Sequence, residues 1–148
     1  MERSRGRLLE VDVNFLLAGK LRSDRLLVLQ HVRIHPCEMD IVALDRASLK
    51  LVNIEIKRRD WKALLRQSLR GKLYCHYSIA ALPQSMKPSI PAAEFEARGV
   101  GLLFFEESIS GLNVELTVPP MPSRDINRSL KRVLYCQFIQ EYGDIAYA

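Results

Sequence analysis

Asp40-Ile41-Val42-Ala43-Leu44 and Asn53-Ile54-Glu55-Ile56-Lys57 decide how this chain folds. Both segments are apolar and rich in β-branched residues, with isolated charges at set positions. Met39 to Leu44 reads as one strand and Leu49 to Lys57 as the next. The polar stretch Asp45 to Ser48 between them is short enough for a hairpin. Strand side chains alternate between faces, so Glu55 and Lys57 share one face while Ile54 and Ile56 enter the opposite layer. In an antiparallel pair, Asp40 at the start of one strand falls beside Glu55 towards the end of its neighbour. Two carboxylates and one ammonium then converge at one edge of a sheet.

The flanking segments extend this into a layered fold. Leu8 to Leu21 has helical spacing at Leu9, Val13, Leu16 and Leu17, and Arg25 to Ile34 reads as a strand. Asp60 can cap a helix running to about Leu73, with Trp61, Leu64, Leu65, Ser68 and Leu69 inward. On that helix Lys62, Arg66 and Arg70 form one basic stripe. Tyr77 to Leu82 is a short apolar strand of the kind covered on both faces. Pro83 to Pro91 reads as a loop, Pro91 to Ala97 as a short helix, Val100 to Phe105 as a buried strand and Leu112 to Val118 as an edge strand. Ser123 is the expected cap of a last helix, about Arg124 to Tyr142. Tyr135, Tyr142 and Tyr147 are expected to serve packing or an interface, and the last helix leaves a homodimer open. The expected class is α/β, a mixed sheet of about five strands flanked by helices on both faces.

At 148 residues the chain fits a single domain, 1–148, able to bury a core without disulfides. No apolar run reaches the ~18 residues that span a bilayer. The basic start, Met1 to Arg7, leads into no clean apolar stretch, because Glu10, Asp12 and Asn14 interrupt it. A signal peptide and a membrane partner are not expected, and a cytoplasmic location is. Three cysteines, Cys37, Cys75 and Cys136, suit reduced, mostly buried thiols. A zinc site using His31, His35, Cys37, Cys75 and His76 is the sharper alternative, with no C-x-x-C pair to anchor it.

The net charge of +5 is unevenly placed. Lys57 to Lys72 holds seven basic residues (Lys57, Arg58, Arg59, Lys62, Arg66, Arg70 and Lys72) and one acid, Asp60. Such a cluster suits a polyanionic partner, with Arg58, Arg59, Lys62, Arg66, Arg70 and Lys72 as contacts to a nucleic-acid backbone. Beside it, Asp40 and Glu55 offer the hard oxygen ligands that Mg2+ or Mn2+ takes, and the carbonyl of Ile56 can add another. Lys57 can orient a water, help deprotonate it, or stabilise charge on a phosphoryl group.

An acid, a spacer and then Glu-x-Lys at a strand end resembles the PD-(D/E)XK nuclease superfamily, which includes restriction endonucleases and archaeal Holliday junction resolvases. The matching residues are Asp40 and Glu55-Ile56-Lys57, and the element order from Leu8 to Phe105 is similar. Two further positions fit: Gln67 on the following helix, where many members carry a supporting glutamine, and Glu10 on the first helix, where many carry an acid. Met39 stands where the motif's proline would be, and Gly71 four residues after Gln67 where a tyrosine would be. The resemblance implies a restriction endonuclease-like core and a divalent-metal-dependent nuclease, acting on DNA more than RNA, in repair, recombination or defence. Asp40, Glu55, Lys57 and Gln67 are then catalytic, and Glu10, Asp40, Glu55 and the Ile56 carbonyl hold Mg2+ or Mn2+.

Plainer readings stand beside these. Asp40 can bond a turn amide, Glu55 can pair with Lys57 or Arg58 alone, and the basic stripe can be a solvated helix face. Trp61 is expected to pack the helix onto the sheet, and His76 to be partly buried and structural. The rival function is a non-cleaving nucleic-acid-binding module, or a subunit of a larger nucleic-acid-processing complex. A third is an assembly protein whose basic patch meets an acidic partner.

Overall fold

Apolar, β-branched runs pair in chain order to build one sheet. The computed structural model describes residues 9–146. The basic start Met1 to Arg7, the expected helix start at Leu8 and the packing role of Tyr147 lie outside the described residues. Among those described, six strands form a sheet of order β1 (Leu26–Ile34), β2 (Cys37–Asp45), β3 (Lys50–Ile56), β4 (Tyr77–Pro83), β5 (Gly101–Ser108) and β6 (Gly111–Val118). The pairs β1–β2, β2–β3 and β5–β6 are antiparallel, while β3–β4 and β4–β5 are parallel. The sheet is thus mixed and the class α/β. It has six strands, and β6 is the edge strand expected, paired with β5 from Ser108–Gly111 to Leu102–Val118.

The two parallel pairings require crossovers, and helices supply them. Helix α1 (Glu10–Leu21) covers one face, burying Val13, Leu17 and Ala18 against Ile41, Ala43, Ile54 and Ile56. On the other face lie α2 (Trp61–Gly71), α3 (Ala92–Ala97) and α4 (Arg128–Tyr142). Leu64 and Leu65 of α2 and Phe95 of α3 pack on Ala80, Leu82, Leu102 and Phe104. Leu134 and Phe138 of α4 pack on Val42, Leu44 and Leu51. Pro83 to Pro91 contains a short 3-10 turn, Gln84–Ser89. Among the described residues no helix is long and apolar enough to cross a membrane.

Asp60 caps α2 as its sequence position suggests: it adopts φ 59° and its side chain accepts from the Ala63 amide at 3.1 Å. Trp61 does pack, its ring 6.1 Å from that of Phe95. The last helix starts later than expected. Ser123 is engaged elsewhere, its hydroxyl donating to the Cys75 carbonyl and its amide to that of His76, each at 2.7 Å. The cap is instead Asn127, whose side chain accepts from the Ser129 and Leu130 amides at 3.0 and 3.2 Å. Tyr142 then fixes the far end of α4, donating to the Val28 carbonyl at 2.6 Å.

A buried polar group ties α2 to the sheet. Asn53 Nδ2 donates to Ser78 Oγ at 3.1 Å, and Ser78 Oγ donates to the Ser68 carbonyl on α2 at 2.6 Å. Gly71 makes room for it, since a Cβ there would meet Asn53 Nδ2 at 1.9 Å and Asn53 Cγ at 2.7 Å. Gly71→Ala forces the buried amide aside and is expected to cost about 1–3 kcal/mol, read as a lowered urea midpoint with unchanged m-value.

Candidate active site

The sheet opens at Asp40. The β2–β3 ladder runs from Asp45–Lys50 to Ile41–Ile54 and stops. One step further, Asp40 stands across from Glu55, on the face that carries Val42 and Leu44. On its other side, the β1–β2 ladder passes from Gln30–Ile41 to Val32–Met39. It skips His31, whose φ of 50° turns the backbone out of the strand. Asp40 thus keeps the register of both neighbours, opposite His31 and Glu55, but forms no ladder pair with either. Its carboxylate fills the gap, Oδ2 accepting from the Ile56 amide at 2.8 Å. The Ile56 carbonyl lies beyond the last registered β2–β3 pair, beside this opening.

Glu55 is 4% exposed. Burial first, and the neighbouring Asp40 charge second, push its carboxyl up to about 9, and in its protonated form it hydrogen-bonds Asp40. The weaker pull of the Arg70 charge acts in the opposite direction. Glu55 borders a cavity of about 190 Å3 between Pro36 with the start of β2 (Cys37 to Met39) and α2, where Gln67 and Arg70 line it. A larger cavity, about 780 Å3, opens beside Lys72 and Gly99 and shares no lining residue with it.

Lys57 follows β3 directly and is half-buried; its amide donates to the Ala81 carbonyl at 3.1 Å. Among the described residues its ammonium enters no ion pair or side-chain hydrogen bond. Glu10 opens α1, and its Oε1 accepts from the Arg58 amide at 3.1 Å, which holds the strand end that carries Lys57.

The basic residues divide. Arg59, Lys62, Arg66 and Arg70 are exposed, and Lys62 lies 5.7 Å over the Trp61 ring. Arg58 is not on this open face: its side chain pairs with Glu107 and lies 5.9 Å over the Phe105 ring. Lys72 is also withdrawn, its ammonium donating to the Arg98 and Gly99 carbonyls at 3.2 Å, where it closes the C-terminus of α3. Burial, then the Arg124 charge, pulls Lys72 below the usual lysine range. These two are corrected from backbone contacts to structural residues.

Among the described residues no group of three or more His, Cys, Asp and Glu side chains is disposed to hold a metal ion. The zinc alternative therefore finds no cluster. Glu10 likewise does not join Asp40 and Glu55 in one, and what assembles is a carboxyl pair with Glu10 at its flank. Cys75 is buried, and its thiol is pushed up first by that burial. His76 is structural, Nδ1 accepting from the Leu51 amide at 2.9 Å. Two contributors carried no motif. Asn14 Nδ2 donates to the Asp40 carbonyl at 2.9 Å, and Gln30 Nε2 donates to Asn14 Oδ1 at 2.9 Å. The available signal was an asparagine one helical turn after Glu10, amid the apolar positions of α1.

Fold and site together define an α/β protein with a carboxyl pair, half-buried Asp40 and buried Glu55, where the β2–β3 ladder ends, beside a basic helix. No family model matches the chain, and no curated protein does. Among solved structures it is similar to the SPO1766 protein of unknown function from Silicibacter pomeroyi, with a TM-score of 0.59 and 17% identity. The match covers 95% of this chain and 88% of that one, and it speaks for the fold alone.

Proposed function

We propose that this chain is a divalent-metal-dependent nuclease of the PD-(D/E)XK type that hydrolyses phosphodiester bonds, in DNA more than in RNA. The observation that carries the proposal is the placement of Asp40 opposite the buried Glu55, one step past the last β2–β3 pair, with the Asp40 carboxylate held by the Ile56 amide. A buried carboxylate is costly unless something compensates it. A proton can do so, and so can a hard cation. Two carboxylates and a nearby backbone carbonyl suit Mg2+ or Mn2+, which keep several waters and bind substrate phosphates through the remaining positions. When bound, such an ion polarises a phosphoryl oxygen and lowers the pKa of a coordinated water. Asp40 and Glu55 hold it, the Ile56 carbonyl borders it, and the Ile56 amide fixes the Asp40 carboxylate. Lys57 offers an unpaired ammonium to the reacting phosphate or its attacking water. Gln67 lines the same cavity as Glu55 and is placed to support the site. Exposed Arg59, Lys62, Arg66 and Arg70 bind backbone phosphates.

The protonation of Glu55 favours a second reading. A carboxyl pair that shares a proton is self-sufficient, as a non-cleaving nucleic-acid-binding module would need. The test is to incubate the chain with single-stranded, duplex and branched DNA in Mn2+ or in chelator, alongside calorimetric Mn2+ titration. The nuclease predicts cleavage in Mn2+ only, and one ion bound per chain. DNA binding that is indifferent to Mn2+, with no cleavage of any form, establishes the module instead.

A further inference from the structure

Asp40 lacks the support that a strand residue ordinarily has. It has no registered partner on β3 or on β1, and the residue opposite it on β1 is the displaced His31. A carboxylate that must meet Glu55 in fixed geometry therefore stands at a break in both pairing ladders. We infer that Asn14 is the positioning residue that supplies the missing support, with Gln30 and Arg22 orienting it from behind. This role rests on the reading of Asp40 and Glu55 as a metal-holding pair.

The geometry is directional. Asn14 is 2% exposed. Its Nδ2 donates to the Asp40 carbonyl at 2.9 Å, the bond that a neighbouring strand's amide would otherwise make. A side-chain amide can be turned either way round, and here its partner decides. Gln30 Nε2 donates to Asn14 Oδ1 at 2.9 Å, so the NH2 group must face Asp40. Gln30 is fixed in turn, its Oε1 accepting from Arg22 Nη2 at 3.0 Å. A guanidinium, two amides and a peptide carbonyl thus form one chain in which every dipole points the same way. Glu10 and Asn14 are four residues apart and lie on one side of α1. Glu10 holds the amide of Arg58 beside Lys57, and Asn14 holds the carbonyl of Asp40. One helix thereby sets both lips of the opening, from the face of the sheet opposite α2.

Groups that fix a ligand's orientation typically change metal affinity or activity about 10–100-fold when removed. Asn14→Asp keeps the shape and the acceptor for Gln30 but loses the donor to Asp40. Gln30→Met keeps the volume of a half-buried position and removes the force that orients Asn14. Both variants are to be compared with the unaltered chain by Mn2+ calorimetry, by the electron paramagnetic resonance spectrum of bound Mn2+, and by melting in chelator. Expected are Mn2+ affinity weakened about 10-fold or more and an altered Mn2+ spectrum, in Gln30→Met with melting in chelator little changed. In cleavage, kcat falls while KM for DNA stays, because the phosphate-binding stripe is untouched. If the unaltered chain binds Mn2+ and a folded Gln30→Met binds it equally well with the same spectrum, the positioning role is overturned and the carboxyl pair stands. If the unaltered chain binds no Mn2+, the carboxyl-pair reading fails and takes this role with it.

Discussion

Lys57→Ala is expected to lower kcat for DNA cleavage about 100- to 1000-fold while leaving DNA affinity within about twofold. The size follows from what the ammonium does. Its charge is unspent among the described residues, so it is available to a phosphoryl group whose negative charge grows towards the transition state. A donor aimed at developing charge acts on kcat and leaves ground-state binding alone. On the proposed function, DNA binding in chelator would rest instead on Arg59, Lys62, Arg66 and Arg70, which are exposed and unaltered. Folding is also expected to survive, since the strand end is held by main-chain bonds, Lys57 to Ala81 and Arg58 to Glu10, that do not involve the lysine side chain. Lys57→Arg keeps the charge but exchanges a compact ammonium for a planar fork, and is expected to restore only part of the rate. Equal kcat for Lys57→Ala and the unaltered chain in Mn2+, with both fully folded, refutes the assignment.

How much of this was legible depended on the range of the interaction. Strand alternation is local, so Glu55 and Lys57 could be placed on one face from five residues. The hairpin is nearly local, so Asp40 could be set beside Glu55. Asp60 capping α2, and the stripe Lys62–Arg66–Arg70, need only one helix. Arg58 failed because its partner, Glu107, is two strands and two crossovers away; alternation indicated only that it turns from the face of Lys57. Lys72 failed for a reason the helix itself contained: two residues past Arg70, it lies around the cylinder from the stripe. Ser123 and Asn127 are both sound N-cap residues, and the choice between them was made by the carbonyls of Cys75 and His76, which only the tertiary fold brings near. The end of the β2–β3 ladder at Ile41–Ile54, and the one pair that the β1–β2 ladder skips beside it, had no sequence signature. His31 gives no hint that it adopts φ 50°, and without that turn Asn14 is one polar residue on an apolar helix face.

Glu55→Gln is expected to change how stability depends on pH, and in opposite senses with and without Mn2+. In chelator, Glu55 is held up to about 9 in the folded chain, by burial first and the Asp40 charge second, against an ordinary value of 4.5. Between those two values the folded state keeps a proton that the unfolded chain has released. Stability therefore falls as pH rises across that window and levels off above it. Glutamine has nearly the same shape and never ionises, so the variant lacks this slope and at about pH 8 melts higher than the unaltered chain. Other groups titrate in the same range, notably His76, which burial pulls below its ordinary value and whose contribution has the opposite sign. The difference between variant and parent at each pH cancels them and isolates Glu55. Asp45, held far below the carboxylate range first by its bond to Arg25, affects only the acid limb. With Mn2+ added, the ion takes the place of the proton, so the parent gains stability, and gains more as pH rises. The variant has lost half of the carboxyl pair and is expected to gain little. Melting curves at about pH 5, 7 and 9, in chelator and in Mn2+, read both effects. Parallel pH profiles in chelator would show that Glu55 is ionised in the folded chain, and equal stabilisation by Mn2+ would show that the ion is held elsewhere.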